Sequence, residues 1–150
     1  MKTPLIRPLR PEDEVAWRGL WFAYLDFYGA SVPEEVYATY FARLLSDDPG
    51  EYHCRLALVD DTAVGLVHYL FHRHGWKLEN VVYIQDLYVT PALRGSGTGR
   101  ALIETVYVEA DAAGCPSVYW LTQEFNETAR VLYDRVGEVT PFIKYQRPAS

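Results

Sequence analysis

The stretch from Tyr83 to Ile103, YIQDLYVTPALRGSGTGRALI, changes its periodicity halfway along. Up to Val89 it is aromatic, aliphatic and β-branched, the composition of a strand. Thr90-Pro91 stops that run, because proline has no N–H to give to a ladder. Gly95, Gly97 and Gly99 then alternate between Arg94 and Arg100, and an apolar helical pattern begins at Ala101. A helix N-terminus carries N–H groups without intrahelical partners and a partial positive charge, so it attracts anions. Glycines let a phosphate approach that backbone and open turn dihedrals closed to other residues. The order strand, glycine loop, helix therefore predicts an α/β protein with a phosphate-holding turn. The spacing is neither G-x-G-x-x-G nor G-x-x-x-x-G-K-[ST], which excludes the familiar dinucleotide and nucleotide-hydrolysis loops. A tight connection that uses glycine for geometry alone is the bland alternative.

Upstream, HCRLALV and AVGLVHYLFHRH flank Asp60-Asp61 and predict an antiparallel hairpin that feeds the strand NVVYIQDLYV. His68, His72 and His74 share one side of the hairpin's second strand by period two. No cysteine or carboxylate spacing accompanies them, so they read as unrelated polar histidines rather than as a metal site. Before the hairpin, Trp17, Leu20, Trp21, Tyr24 and Tyr28 recur at helical spacing from Glu12 to about Tyr28, where Gly29 ends the run. Trp17, Trp21 and Tyr24 read as a core face; an aromatic pocket that holds an amine by cation–π attraction is the second reading. Ser31-Val32-Pro33-Glu34 has the form of a capping box that opens a second helix to about Leu45. The opening TPLIRPLR reads as a short strand broken by Pro8.

Downstream, the helix after the glycine loop runs from about Gly97 to Ala113 and turns at Gly114-Cys115-Pro116. SVYWLT follows as a strand, NETARVLYDRVG as a helix closed by Gly137, and FIKYQR as a last strand. Strands first, then a strand-helix-strand-helix-strand series, predict a mixed α/β (α+β) architecture with helices on both faces of the sheet.

A chain of 150 residues, 49% of them hydrophobic, is the size of one compact domain, expected to span residues 1–150. Its net charge of −6 argues against binding nucleic acid and suits a cationic substrate. Cys54 and Cys115 stand in neither a paired framework nor a metal-ligand spacing, which points to a reducing cytosol. The N-terminus MKTPLIRPLRPEDE has no apolar core of signal-peptide length, and no segment reaches the roughly 18 apolar residues of a membrane span. A soluble, cytoplasmic protein without membrane partners is expected.

Arg94-Gly95-Ser96-Gly97-Thr98-Gly99 resembles the acetyl-CoA signature [QR]-x-x-G-x-[GA] of the GNAT superfamily of N-acetyltransferases. The context carries the resemblance further: YIQDLYVTPALRGSGTGRALI looks like that family's central strand and pyrophosphate loop, and LTQEFNETARVLYDRVG like its following strand and helix. It covers roughly residues 4 to 147 and is closest, from Val82 to Tyr145, to the diamine and polyamine acetyltransferase branch. The resemblance implies a mixed, mostly antiparallel GNAT sheet and acetyl transfer from acetyl-CoA to a primary amine by direct attack, without a metal. It also implies a homodimer, as is common in the family.

By that resemblance, the N–H groups of Ser96 to Arg100, including those of Gly97, Thr98 and Gly99, cradle the pyrophosphate beside Gly95, Arg94 and Arg100. The strand at Leu87, Tyr88 and Val89 pairs with the pantetheine arm and holds the thioester carbonyl. Tyr133 is the general acid, since a phenol of ordinary pKa about 10 is protonated at neutral pH. Asn126 contacts the cofactor arm or caps the helix at Glu127, and Ala129 and Arg130 lie near the cofactor. The branch usually has Glu-Asp before its LYV element, whereas here the pair is Gln85-Asp86. Gln85 cannot take a proton, so it is expected to hold a water, with Asp86 or Glu124 binding the ammonium or assisting its deprotonation. Other readings are peptide amino-group acetylation, a non-catalytic acyl-CoA-binding module and an edge-strand dimerisation module.

Overall fold

The computed structural model, which describes residues 2–149, builds a sheet whose five strands lie side by side in sequence order. Strands β1 (Leu5–Pro8), β2 (His53–Val59), β3 (Thr62–His72) and β4 (Val81–Val89) run antiparallel in order, and β5 (Val118–Trp120) adds to β4 in parallel. The β2–β3 hairpin turns at Asp60 and Asp61, both at positive φ, the geometry a two-residue hairpin needs to follow the strand twist. Helices α1 (Glu14–Phe27) and α2 (Glu34–Leu44) cover one face. The other face carries α3 (Thr98–Ala112) and α4 (Glu127–Val136).

Both faces are covered because both helix pairs carry apolar stripes. Trp17 and Trp21, one turn apart on α1, stack at 5.5 Å, and Tyr40 of α2 meets Trp21 edge-on at 4.8 Å. They bury Leu56 and Leu66 of the hairpin beneath them. Across the sheet, Leu102, Ile103, Val106 and Ala110 of α3 pack on Val67, Tyr69, Val82 and Ile84. Gly65 is where β3 passes under α3: a methyl group there would lie 2.9 Å from the Tyr88 carbonyl.

One irregularity sets up the site. His68 pairs with Asp86 and Tyr69 with Ile84, so Gln85 is an extra residue in β4. A bulge of this kind reverses which face successive side chains take. Before it, Val82 and Ile84 point toward α3; after it, Leu87 and Val89 do, and Asp86 and Tyr88 turn toward α1 and α2.

β1 stops at Pro8, where the sequence predicts its break. Three local expectations are corrected. The capping box at Ser31 does not form: α2 is entered through Pro33 without a side-chain cap, and Glu34 is held by Arg18 at 2.7 Å. His74 lies beyond the end of β3. FIKYQR forms no strand; residues 138–149 are neither helix nor strand, and the neighbouring β5, three residues long, offers little edge for a further ladder.

Candidate active site

Pairing between β4 and β5 ends at Ile84 and Trp120, yet β4 continues to Val89. From Gln85 onward the side of β4 away from β3 has no strand beside it among the described residues. The two strands part around a narrow cleft. Gln85 and Leu87 line it from β4, Trp120 and Leu121 from the end of β5, and Tyr133 from α4. Tyr24 and Tyr28, whose rings meet at a tilt of 60° with centroids 5.1 Å apart, close it from the α1 side.

The glycine loop leads into α3 at one end of this gap. After a single 3-10 turn at Pro91–Leu93, Gly95 and Gly97 both take positive φ, +81° and +89°, and Gly97 is the N-cap of α3. A methyl group at either would meet nothing within 4 Å, so their outer faces are open. The Ser96 N–H turns inward to the Leu93 carbonyl at 3.2 Å, which leaves Gly97 to Arg100, in the first turn, as the donors without an intrahelical acceptor. Thr98 is buried, its hydroxyl 2.8 Å from that of Ser96. Arg94 folds back: its Nε donates to the Val89 carbonyl at 3.1 Å and its guanidinium covers the rings of Tyr88 and Phe27. Arg100 pairs with Glu104 one turn along on the exposed helix face.

Tyr133 stands on α4 facing the cleft, with its ring edge-on to Trp120 at 5.6 Å. Burial pushes its phenol up to about 12, so it holds its proton throughout the neutral range. Asn126 caps α4: its side-chain oxygen accepts the Ala129 N–H at 3.3 Å. Arg130 donates to the Glu124 carbonyl at 2.8 Å, bracing the loop between β5 and α4.

Asp86 is buried just behind Tyr24 and Tyr28. The Tyr40 hydroxyl donates to its Oδ2 at 2.8 Å, His68 Nδ1 lies 2.7 Å from the same oxygen, and the Tyr24 phenol approaches the carboxylate too. Burial works against the charge, but these donors outweigh it and hold the carboxyl below its ordinary range. Burial and the Asp86 charge together raise the Tyr24 and Tyr40 phenols far above theirs.

The structure thus brings Leu87 and Tyr133 to one cleft, with Gln85 at its bulge and Asp86 behind its aromatic wall. It does not bring Glu124 there: that residue lies on the exposed loop after β5 and does not line the cleft. Tyr88 and Val89 reach it at most through their backbone, since the Tyr88 side chain is packed in the α1 face and Val89 in the α3 face. Of the aromatic triplet on α1, Trp17 and Trp21 are core, whereas Tyr24 lines the cleft. Sequence reasoning missed His68 and Tyr40. The signal for His68 was a polar residue inside the apolar run LVHYL, because a polar group buried in such a run needs a partner.

A sheet opened between parallel strands, with a bare helix N-terminus at the gap and a protonated phenol inside it, is the frame of an acyltransferase that holds a long phosphate-bearing donor. The chain belongs to the acetyltransferase (GNAT) family, whose model matches residues 17–137, and it is an N-acetyltransferase. Acetyl-CoA is the donor used in that family. The chain is 42% identical, over 95% of its length and 89% of the relative's, to the D-amino-acid N-acetyltransferase of Saccharomyces cerevisiae. It is 32% identical, over 63% of its length and 61% of the relative's, to the thialysine N-epsilon-acetyltransferase of Bos taurus. Among solved structures, the aminoglycoside acetyltransferase AAC(6')-Iy bound to a bisubstrate analogue superposes with a TM-score of 0.83. That match covers 99% of this chain and 100% of that one at 19% identity, a likeness of fold. Among the described residues, no helix is long and apolar enough to cross a membrane, and no group of three or more His, Cys, Asp or Glu is placed to hold a metal.

Proposed function

We propose that the protein acetylates the primary amine of a small molecule of the amino-acid or diamine type, by direct attack in the cleft between β4 and β5. One observation carries this reading: the cleft holds a protonated phenol, Tyr133, opposite an aromatic wall, Tyr24 and Tyr28, laid over the buried carboxylate of Asp86. The names of the two relatives above, which act on a D-amino acid and on thialysine, support an acceptor of this size.

The residues present fit acetyl-CoA. Gly97 to Arg100 offer N–H donors beside open space at Gly95 and Gly97, and the free edge of β4 at Leu87 and Val89 suits the amide groups of the pantetheine arm. Bound there, acetyl-CoA supplies a thioester as the acyl donor. Leu87 contributes a backbone N–H that polarises the acyl carbonyl. Tyr133 donates its proton to the departing sulfur and regains one from solvent. Asp86 serves through its charge, drawing the ammonium form of the acceptor to the wall. The ammonium proton leaves through water at Gln85, which is exposed at the bulge.

Two further features belong to this reading. Phe142, Ile143 and Tyr145 are 77–89% exposed on the segment after α4, a pattern that supports a homodimer in which a second copy covers them. Cys54 and Cys115, both free and buried, support a reducing compartment, the cytoplasm.

The test is thiol release from acetyl-CoA with D- and L-amino acids, diamines, polyamines and lysine peptides, comparing wild type with Tyr133→Phe. Free amines are expected to drive release, and kcat to fall about 100-fold in the variant with little change in either KM. Turnover of peptides alone would replace the small-amine reading. Tight acetyl-CoA binding without release by any amine would replace the enzyme reading with that of a binding module.

A further inference from the structure

Behind the cleft, a polar chain runs into the driest part of the α1 face. Trp17 Nε1 lies 2.9 Å from His68 Nε2, and both residues are 0% exposed. An indole N–H can only donate, so His68 Nε2 is the acceptor. The imidazole proton is then on Nδ1 and is given to Asp86 Oδ2 at 2.7 Å. A second proton, on Nε2, would set N–H against N–H in a space with no room to turn away. Trp17 therefore fixes the histidine in one neutral tautomer, and the Asp86 charge is not cancelled by an imidazolium.

The groups that face Asp86 are His68 on β3, Tyr40 on α2, Tyr24 and Tyr28 at α1, Cys54 on β2 and Tyr83 on β4. None is a lysine or arginine, and among the described residues His68 is the sole ion-pair neighbour of Asp86. A buried carboxylate ordinarily finds a cation or loses its charge. Here only neutral donors surround it, and the one side where a cation can approach is through Tyr24 and Tyr28, which also line the cleft.

We infer that His68 is a positioning residue for acetyl transfer: locked by Trp17 as the neutral Nδ1–H tautomer, it holds Asp86 as an uncompensated anion behind Tyr24, so that the cleft draws its acceptor by the ammonium group. This inference rests on the small-amine reading above and assigns His68 and Trp17, which that reading does not use, a part in acceptor recognition. Its effect falls on the amine and not on the donor, whose seat lies on the far side of the bulge.

The experiment measures the pH dependence of KM for the amine and for acetyl-CoA in wild type, His68→Leu, His68→Asn and Trp17→Phe. His68→Leu removes a donor while burial remains, so Asp86 titrates higher. The acidic limb of kcat/KM for the amine is expected to move to higher pH and the amine KM to rise on the acidic side of neutrality, with the acetyl-CoA KM unchanged. His68→Asn places an amide N–H where Nδ1–H was and is expected to restore most of the amine KM. Trp17→Phe removes the donor that fixes the tautomer, and the amine KM is expected to change in the same direction as in His68→Leu. ¹⁵N spectra of the histidines need no substrate: His68 is expected to show the neutral Nδ1–H signature in wild type, and its Nε2 resonance to move in Trp17→Phe as the indole donor is lost.

Amine-KM profiles that superimpose on wild type while the variants merely melt earlier would reduce His68 to a structural role and overturn the inference. So would a wild-type His68 protonated on Nε2. If wild type acetylates no amine, the small-amine reading fails and the positioning role fails with it; the spectra distinguish that case, because the tautomer is read without turnover.

Discussion

Replacing Gly97 by alanine separates the two things that residue does. At φ +89° an alanine sits in left-handed backbone, which costs roughly 1–2 kcal/mol. The added methyl group would meet nothing within 4 Å of the protein, so strain is the whole of the expected stability loss. For a domain of this size, that corresponds to a fall in Tm of about 2–8 °C. Under the proposed function, however, the space the methyl group enters is where the pyrophosphate comes to reach the N–H groups of Thr98, Gly99 and Arg100. Losing one or two hydrogen bonds to a charged group, at about 1.5 kcal/mol each, raises the acetyl-CoA KM about tenfold to 100-fold. Gly114→Ala is the matched control: its φ is +71°, it too has nothing within 4 Å, and it closes the opposite end of the same helix. Thermal melts with and without acetyl-CoA, together with KM values for both substrates, decide the matter. Both variants are expected to melt earlier, and only Gly97→Ala to lose acetyl-CoA affinity and the rise in Tm that acetyl-CoA confers. Equal acetyl-CoA KM values in the two variants would refute the assignment of the loop to the donor.

Two further predictions concern stability and assembly. Asp13 accepts hydrogen bonds from Arg7 at 2.8 and 2.9 Å and from the Arg10 N–H at 2.7 Å, and the Arg7 bonds foremost hold its carboxyl below the usual range. Its contribution is therefore complete above the unfolded value of about 3.9 and is lost as pH falls through the lower folded value; Asp13→Asn is expected to cost about 2 kcal/mol at pH 7 and to flatten the stability curve below about pH 4, both read from urea melts. A chain cut after Val139, lacking exposed Phe142, Ile143 and Tyr145, is expected to sediment as a monomer where the full chain sediments as a dimer, and equal masses would refute the proposed covering of that segment.

Local signals were strong wherever the backbone itself had to do something unusual. The hairpin was announced by Asp60-Asp61 between alternating runs, and the loop by alternating glycines, two of which take positive φ. Signals failed where the outcome depended on a partner distant in sequence. Glu34 was read as a cap for its own helix, yet Arg18 takes it. FIKYQR has strand composition but finds only a three-residue neighbour. Of the residues singled out in the sequence, Leu87 and Tyr133 do line one cleft. On the acceptor side, Glu124 looked as suitable as Asp86 in one dimension. The bulge at Gln85 separates them, because it turns Asp86 inward to His68 and Tyr40, and a strict period of two could not have indicated that.

That extra residue in β4 also divides the labour of the molecule. Since the strand changes face at Gln85, the proposed function takes its donor residues in α3 and α4 from one side of the sheet and its acceptor residues Asp86, Tyr24 and Tyr28 from the other. Substitutions in α1 and α2 can accordingly retune which amine is accepted while the seat of the donor is inherited unchanged. An engineer seeking a new acceptor would vary Tyr24, Tyr28 and Tyr40 and leave α3 and its glycines alone.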